Sequence, residues 1–174
     1  MDKSITIFIS GHTDLSFDLF KQYYIPKINK YLQQNNKFII GDALGADKFA
    51  QEYLSQFNEN VTIYDKGDQN NKFIKKFNHI NRFKSFSERD CFMTNNSDID
   101  ITFLRNDEYA MASWTSINLI RRKYGDKISK NVFNILRNKK NKGKSSKDIL
   151  LDSKIDRIVT TDILDLIDKH IMIN

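Results

Sequence analysis

A short apolar segment, a glycine-bearing turn and a helically spaced run follow one another twice within the first 57 residues, and this repetition constrains the fold more than any other feature. Ile5 to Ser10 reads as a buried strand that stops at Gly11-His12-Thr13-Asp14. From Ser16, a candidate N-cap, Phe17, Phe20, Tyr24, Ile28, Tyr31 and Leu32 recur at helical spacing, with Pro26 expected to kink or divide the helix. Phe38-Ile39-Ile40 reads as a second strand, ended by Gly41-Asp42-Ala43-Leu44-Gly45. After it Ala46, Phe49, Ala50, Tyr53, Leu54 and Phe57 again keep helical spacing.

Val61 to Tyr64 reads as a third strand of alternating type. Between Asp65 and Phe86 the periodicity is lost, and the segment is expected to be an excursion or lid. A short helix over about Ser87 to Asn95, a fourth strand over Ile99 to Leu104, a helix over Thr115 to Lys123 and a fifth strand over Val132 to Leu136 complete the expected order. Strands separated by helices imply parallel pairing through crossovers. The predicted fold class is therefore α/β: a Rossmann-like three-layer domain with a mostly parallel sheet of about five strands and helices on both faces. Residues 1–174 are read as a single domain with a basic Lys/Gly/Ser loop near 139–147 and a C-terminal capping helix near 161–172. In such a sheet the loops at the carboxyl ends of the strands collect along one edge, which is where function is expected.

Composition narrows the class. With 40% hydrophobic and 29% charged residues, the 174-residue chain has the balance of a folded domain that needs no disulfide or structural metal. Cys91 is the only cysteine, so no intramolecular disulfide and no cysteine-based zinc site can form. No stretch approaches the roughly 18 apolar residues of a membrane span, and Met1 leads into a strand pattern without a signal-type apolar region, so a cytoplasmic protein without membrane partners is expected. The net charge of +6 invites a nucleic-acid reading. The same chain is rich in Asn, Ile and Lys and has one proline, a bias that an AT-rich genome produces by itself.

Glycine after a strand and before a helix lets main-chain N–H groups approach an anion while the helix N-terminus adds partial positive charge. Neither glycine loop is a Walker sequence or a dinucleotide Gly-x-Gly-x-x-Gly, and either glycine can equally be a plain turn residue. Read together, however, Ser10-Gly11-His12-Thr13-Asp14-Leu15, Gly41-Asp42-Ala43-Leu44-Gly45-Ala46-Asp47 and Glu88-Arg89-Asp90-Cys91-Phe92-Met93-Thr94 resemble, in that order, the SLOG superfamily. Its members include lonely-guy phosphoribohydrolases and the Rossmann domain of DNA-processing protein A. The likeness covers roughly Ile5 to Lys123.

The resemblance implies a ligand site in which Gly11, Gly41, Gly45, Asp47 and Arg89 fill the family's loop and helix positions. Ser113-Trp114-Thr115 stands where the family has a glycine-rich turn, so Trp114 is a departure. In the phosphoribohydrolases glutamates follow that turn, whereas Ile117 and Asn118 stand here. An oxocarbenium-like transition state needs a nearby anion, so the binding function is better supported than the hydrolysis. The expected function is thus binding, by sensing or sequestering, of a nucleotide-derived, phosphate-bearing small molecule, at a site formed by Gly11, His12, Gly41, Asp42, Gly45, Asp47, Arg89, Ser113 and Thr115. No cofactor and no metal are expected. Relatives of this kind often pair through helices, which puts a homodimer among the expected partners.

Two alternatives stay open. One is an N-glycosidase or deoxyribosyltransferase-type enzyme in which Asp42 is the candidate catalytic carboxylate, with Asp14, Asp47, Glu88 and Asp90 as other acids. Asp47 also suits a first-turn acid favoured by the helix dipole, and Arg89 an ordinary helix salt bridge. The other is a nucleic-acid-binding protein using Lys72, Lys75, Lys76, Arg82 and Lys84 interleaved with Phe73, Phe77 and Phe83, a run that equally describes a solvated face. His12 is a candidate phosphate donor or acid/base, while His79 and His170 are expected on the surface. Tyr109, Trp114 and Phe86 are candidates for a base-stacking face, and Cys91 for inert packing.

Overall fold

Alternation along three short strands decides the layering. The computed structural model describes residues 4–57, 59–66, 76–106, 110–138, 141 and 143–172. Within it the chain divides into two compact units, 1–103 and 104–174.

The N-terminal unit holds a five-stranded, wholly parallel sheet in the order β4-β3-β2-β1-β5, built from β1 (Thr6–Ile9), β2 (Lys37–Ile40), β3 (Asn60–Asp65), β4 (Asn78–Asn81) and β5 (Ile99–Ile101). Phe8 lies opposite Ile39, and with Tyr64 they form one apolar face, which Met93 and Phe83 cover and Ile80 and Phe92 flank. Met93 and Phe92 belong to α4 (Phe86–Asn95). Neighbours along each strand point the other way. Ile7, Ile9, Phe38, Ile40 and Ile63 are accordingly buried on the opposite face, together with residues of α1 (Phe17–Tyr23), α2 (Ile25–Asn29) and α3 (Ala46–Leu54). This is the expected α/β, Rossmann-like arrangement with helices on both faces.

Local chemistry sets the helix boundaries. Ser16 caps α1 by accepting the Leu19 N–H at 3.3 Å, and Pro26 stands in the first turn of α2, where its missing N–H costs nothing, so the long helical pattern from Ser16 is divided into two pieces. From β1 to β4 the chain adds strands in one direction. α4 then crosses the other face and places β5 on the far side of β1, so the strand order reverses between β1 and β5. Such a reversal opens the crevice in which parallel sheets hold ligands.

The C-terminal unit contains a 3-10 turn (Ala110–Ala112), α5 (Trp114–Leu136), α6 (Ser146–Leu151) and α7 (Arg157–Asp168) around Leu104, Ile117, Ile120, Val132, Ile163 and Ile167. Gly125, at φ 79° and ψ 175°, kinks α5 in its middle.

Five expectations are corrected. Val132 to Leu136 is not a fifth strand but the last turns of α5, because Ser129, Val132 and Leu136 keep helical spacing and are buried in the helical core. The remaining strand is instead β4, at one edge of the sheet and within the stretch read as an excursion, where Asn78-His79-Ile80-Asn81 lacks a long apolar run because an edge strand buries little. The fourth expected strand ends at Ile101, and Leu104 pairs with Ile171 as an isolated bridge in the other unit. The expected C-terminal helix begins earlier, at Arg157, and Ser146–Leu151, partly assigned to a loop, is helical.

Candidate functional site

Strand ends bring the expected ligand residues of the N-terminal unit together. Gly11 and His12 follow β1, Gly41 and Asp42 follow β2, Gly45 and Asp47 open α3, and Arg89 projects from α4. Gly45 takes φ 65° and ψ −120°, a backbone conformation reserved for glycine, and a Cβ there would lie 2.7 Å from the Thr13 carbonyl carbon. The two glycine loops are thereby in contact. His12 completes the junction, its carbonyl accepting the Leu15 N–H at 3.4 Å and the Ala46 N–H at 3.2 Å.

Beneath Gly41 lies a buried ionic cluster. The Arg89 guanidinium donates through Nη1 to Asp42, through Nε and Nη2 to Asp90 at 3.0 and 2.8 Å, and stands 3.9 Å from Asp47. All four side chains are less than a tenth exposed. Asp47 also accepts the Ala43 N–H at 3.2 Å, and Asp42 the Lys66 N–H at 3.5 Å. Burial alone works against the Arg89 charge, but Asp90, Asp47 and Asp42 outweigh it and raise its pKa above the ordinary guanidinium value. Burial likewise pushes Asp47 up, against the pull of Arg89 and with Asp90 and Asp42 adding to the rise, to about 7. Asp47 is therefore a carboxyl that holds a proton near neutrality. Asp42, the expected catalytic acid, is engaged by Arg89 and the Lys66 amide.

The cluster reaches solvent through Phe86. This ring, 40% exposed, packs with the Arg89 guanidinium 5.0 Å from its centroid and Lys66 Nζ 4.9 Å from it. Leu44, at the tip of the second glycine loop, is also exposed.

Residues that the sequence did not single out hold the site. Tyr24 is wholly buried, donates its hydroxyl to the Ser10 carbonyl at 3.0 Å and accepts the Phe103 N–H at 3.3 Å, so it ties the ends of β1 and β5 together where the strand order reverses. Burial raises its pKa far above that of a free phenol. Ser10 donates to Thr102 across the same gap at 3.4 Å. Gln51, one turn beyond Asp47, donates to the Gly41 carbonyl at 2.8 Å, while its Oε1 has no hydrogen-bond partner among the described residues. An Asn, Gln or Tyr at helical spacing after a glycine loop is the only signal that could have pointed to these residues.

Ser113 and Thr115 belong to the other unit. Ser113 is the N-cap of α5, accepting the Ser116 N–H at 3.2 Å, and Thr115 is buried in the first turn. Asn118 is buried and accepts from Arg121 at 2.5 Å. Trp114 stacks on Phe133 with centroids 4.3 Å apart. His79 and His170 are half-buried rather than on the surface: His79 lies 3.7 Å from the buried Asp65, and His170 Nδ1 is 2.8 Å from the Leu166 carbonyl.

Of the basic aromatic run, Lys72, Phe73 and Lys75 lie outside the described residues, as does Tyr109. Phe77 and Phe83 are buried, Lys76 donates to the Ser55 and Phe57 carbonyls, and Arg82 packs on Phe92 at 4.2 Å. Among the described residues no group of three or more His, Cys, Asp or Glu side chains has the geometry of a metal site, and no helix is long and apolar enough to cross a membrane. No protein-family model, curated protein or solved structure matches the chain.

Proposed function

We propose that the carboxyl edge of the parallel sheet binds a nucleotide-derived, phosphate-bearing small molecule, as the resemblance to the SLOG superfamily implies. The observation that supports this reading is the continuous run from exposed Phe86, through buried Arg89, to Asp42 and Asp47 beneath Gly41. Burying three carboxylates around one guanidinium costs a fold several kcal/mol of desolvation per ion, on the order of what packing with apolar residues would avoid. Clusters of perturbed charges at strand ends of a parallel sheet are where α/β proteins place ligand chemistry.

The parts have separate roles. Phe86 offers the exposed part of its ring to a base, and Lys66, packed over the same ring, supplies a cation for phosphate. The start of α3, without a side-chain cap, contributes partial positive charge. Arg89 is saturated by carboxylates and serves as the support that fixes the Gly41 loop.

A thermal-shift series with the four ribonucleoside monophosphates and their diphosphates tests the reading, since a ligand bound only by the native state raises the melting temperature. Phe86→Ala and Lys66→Ala are expected to abolish the shift while leaving the unliganded melting temperature within a few degrees of wild type. Absence of a shift with every nucleotide overturns the proposal. An N-glycosidase reading is favoured by one observation, the Asp47 carboxyl that keeps its proton to about pH 7 and is suited to general-acid work. Release of free base from nucleoside monophosphates, lost in Asp47→Asn, would establish it.

A further inference from the structure

Two side chains of one helix converge on Gly41. Asp47 and Gln51 stand one turn apart on α3, a spacing that puts their Cβ atoms about 5–6 Å apart on the same face. Oδ2 of Asp47 occupies the space that a Cβ on Gly41 would take, and Gln51 Nε2 donates to the Gly41 carbonyl at 2.8 Å. The same Asp47 oxygen accepts the Ala43 N–H at 3.2 Å, so the pair grips the second glycine loop at its first and third residues.

The grip lacks one proton. Gln51 is wholly buried, and its Oε1 has no hydrogen-bond partner among the described residues, an arrangement that folded proteins rarely leave uncompensated. The charged and titratable groups facing Asp47 are Arg89 and Asp90 from α4, Asp42 from the loop after β2, and Tyr24 from the junction of α1 and α2. The loop after β1, joined to the start of α3 through the His12 carbonyl, adds His12 and Asp14. On α3 itself Lys48 pairs with Glu52. Of the buried donors, Tyr24 gives its hydroxyl to the Ser10 carbonyl, and Arg89 gives N–H groups to Asp42 and Asp90. A protonated Asp47 has an O–H to give, one helical turn from the amide oxygen that lacks a donor. Burial pushes this carboxyl up to about 7, so the proton is available near neutrality.

We infer that Asp47 and Gln51 form a proton-holding clamp on the Gly41 loop: neutral Asp47 donates its O–H to Gln51 Oε1, and a phosphate bound at this edge of the sheet selects that neutral form. The inference rests on the phosphate-bearing ligand proposed above and adds the regulation of its site. Its physical basis is the sign of charge. Asp47 lies in the first turn of α3, whose N-terminus has no side-chain cap and offers partial positive charge to an anion. An ionised carboxylate there offsets that charge and repels phosphate, whereas the neutral carboxyl leaves it intact. Binding therefore takes a proton from solvent, and by reciprocity the affinity falls as pH rises. Gln51 acts as a positioning residue: through Oε1 it favours the protonated carboxyl, and through Nε2 it passes that state to the Gly41 carbonyl.

Two measurements on the full chain test the clamp and its coupling separately. In the free protein, the Gln51 side-chain amide signals are expected to follow an NMR titration of the Asp47 carboxyl carbon with the same midpoint. Gln51→Met keeps the volume without the acceptor and is expected to lower the Asp47 midpoint by at least about 0.5 in pH. Gln51 signals that ignore the Asp47 titration overturn the clamp, whether or not any nucleotide binds.

The second measurement is calorimetric titration with each of the four ribonucleoside monophosphates. Between about pH 6 and pH 8.5 the affinity is expected to fall at least about fivefold, with proton uptake seen across buffers of different ionisation heat. The second ionisation of the phosphate, at about pH 6, adds ligand charge and works in the opposite direction. Asp47→Asn is expected to abolish the fall. A fall that persists in this variant assigns the proton to another group, such as His12, and overturns the inference. Wild-type affinity that is independent of pH overturns it while leaving the pocket reading standing, and absence of binding at both pH values overturns both.

Discussion

A Cβ atom on Gly41 would lie 2.8 Å from Cζ of Arg89, so the buried guanidinium occupies the space that any side chain at position 41 would need. The glycine after the second strand is therefore required by a close approach across 48 residues of sequence. The backbone dihedrals play no part, since Gly41 is not among the glycines with positive φ. Gly41→Ala must displace either Arg89 or Asp47, both locked in the ionic cluster, and is expected to cost about 1–3 kcal/mol, the usual range for overpacking. Urea unfolding of the variant measures it, and a loss below about 0.5 kcal/mol would show that the cluster shifts freely.

Asp47 gives the N-terminal unit a dependence on pH. Its folded pKa, about 7, stands above the unfolded value of 3.8, so the native state holds this proton more tightly than the unfolded chain. The stabilisation is fully present below about pH 4 and is lost as pH rises through about 7, at about 1.4 kcal/mol for each unit of displacement. Asp47→Asn keeps an acceptor for the Ala43 N–H and cannot ionise. Chemical denaturation between about pH 4 and 8 is expected to show a flatter profile in the variant, with its advantage over wild type greatest at the alkaline end.

Arg89→Met removes the only guanidinium from a group of three buried carboxylates. Breaking a buried pair from one side typically costs about 3–5 kcal/mol, because the charges left behind have neither water nor a partner. The variant is expected to unfold at markedly lower urea near pH 8 and to regain part of the deficit on acidification, when the Asp47 carboxyl takes up its proton. Loss of nucleotide binding in this variant would report on folding. Exposed Phe86 and half-buried Lys66 are the positions that separate binding from stability.

Gly45 and Gly125 both adopt positive φ, yet differ in surroundings. A side chain on Gly45 would run into the His12 and Thr13 main chain, whereas nothing lies within 4 Å of a Cβ on Gly125. Gly125→Ala is expected to cost only the backbone strain, about 1–3 kcal/mol, and Gly45→Ala that strain plus separation of the two loops. Melting curves of the two variants are expected to rank them in that order, and an equal loss would mean that the loop contact yields.

Much of the N-terminal unit was legible because its signals are local. The apolar runs at Ile7, Phe38 and Val61, the Ser16 cap and Pro26 each act within a few residues, and each sits in the element expected of it. Val132 to Leu136 misled because five apolar-rich residues fit a strand and a helix equally. Their helical spacing shows only with the buried Ser129, a polar residue that no hydrophobic pattern marks. Asn78 to Asn81 went unread for the converse reason: it is polar at both ends, and its pairing with Thr62 to Asp65 is the whole of its strand character.

The candidate site divides in the same way. Gly11, Gly41 and Gly45 announced the turns, and the order of strands and helices announced a parallel sheet with one functional edge. Only the tertiary structure decided that Arg89 faces three aspartates rather than solvent, that burial pushes the Asp47 carboxyl up to about 7, and that Tyr24 ties together strands 90 residues apart in sequence. Turn geometry and periodicity are properties of neighbouring residues, written directly in the chain. Charge state and close approach depend on burial and on partners brought from distant positions, which exist only once the sheet has assembled.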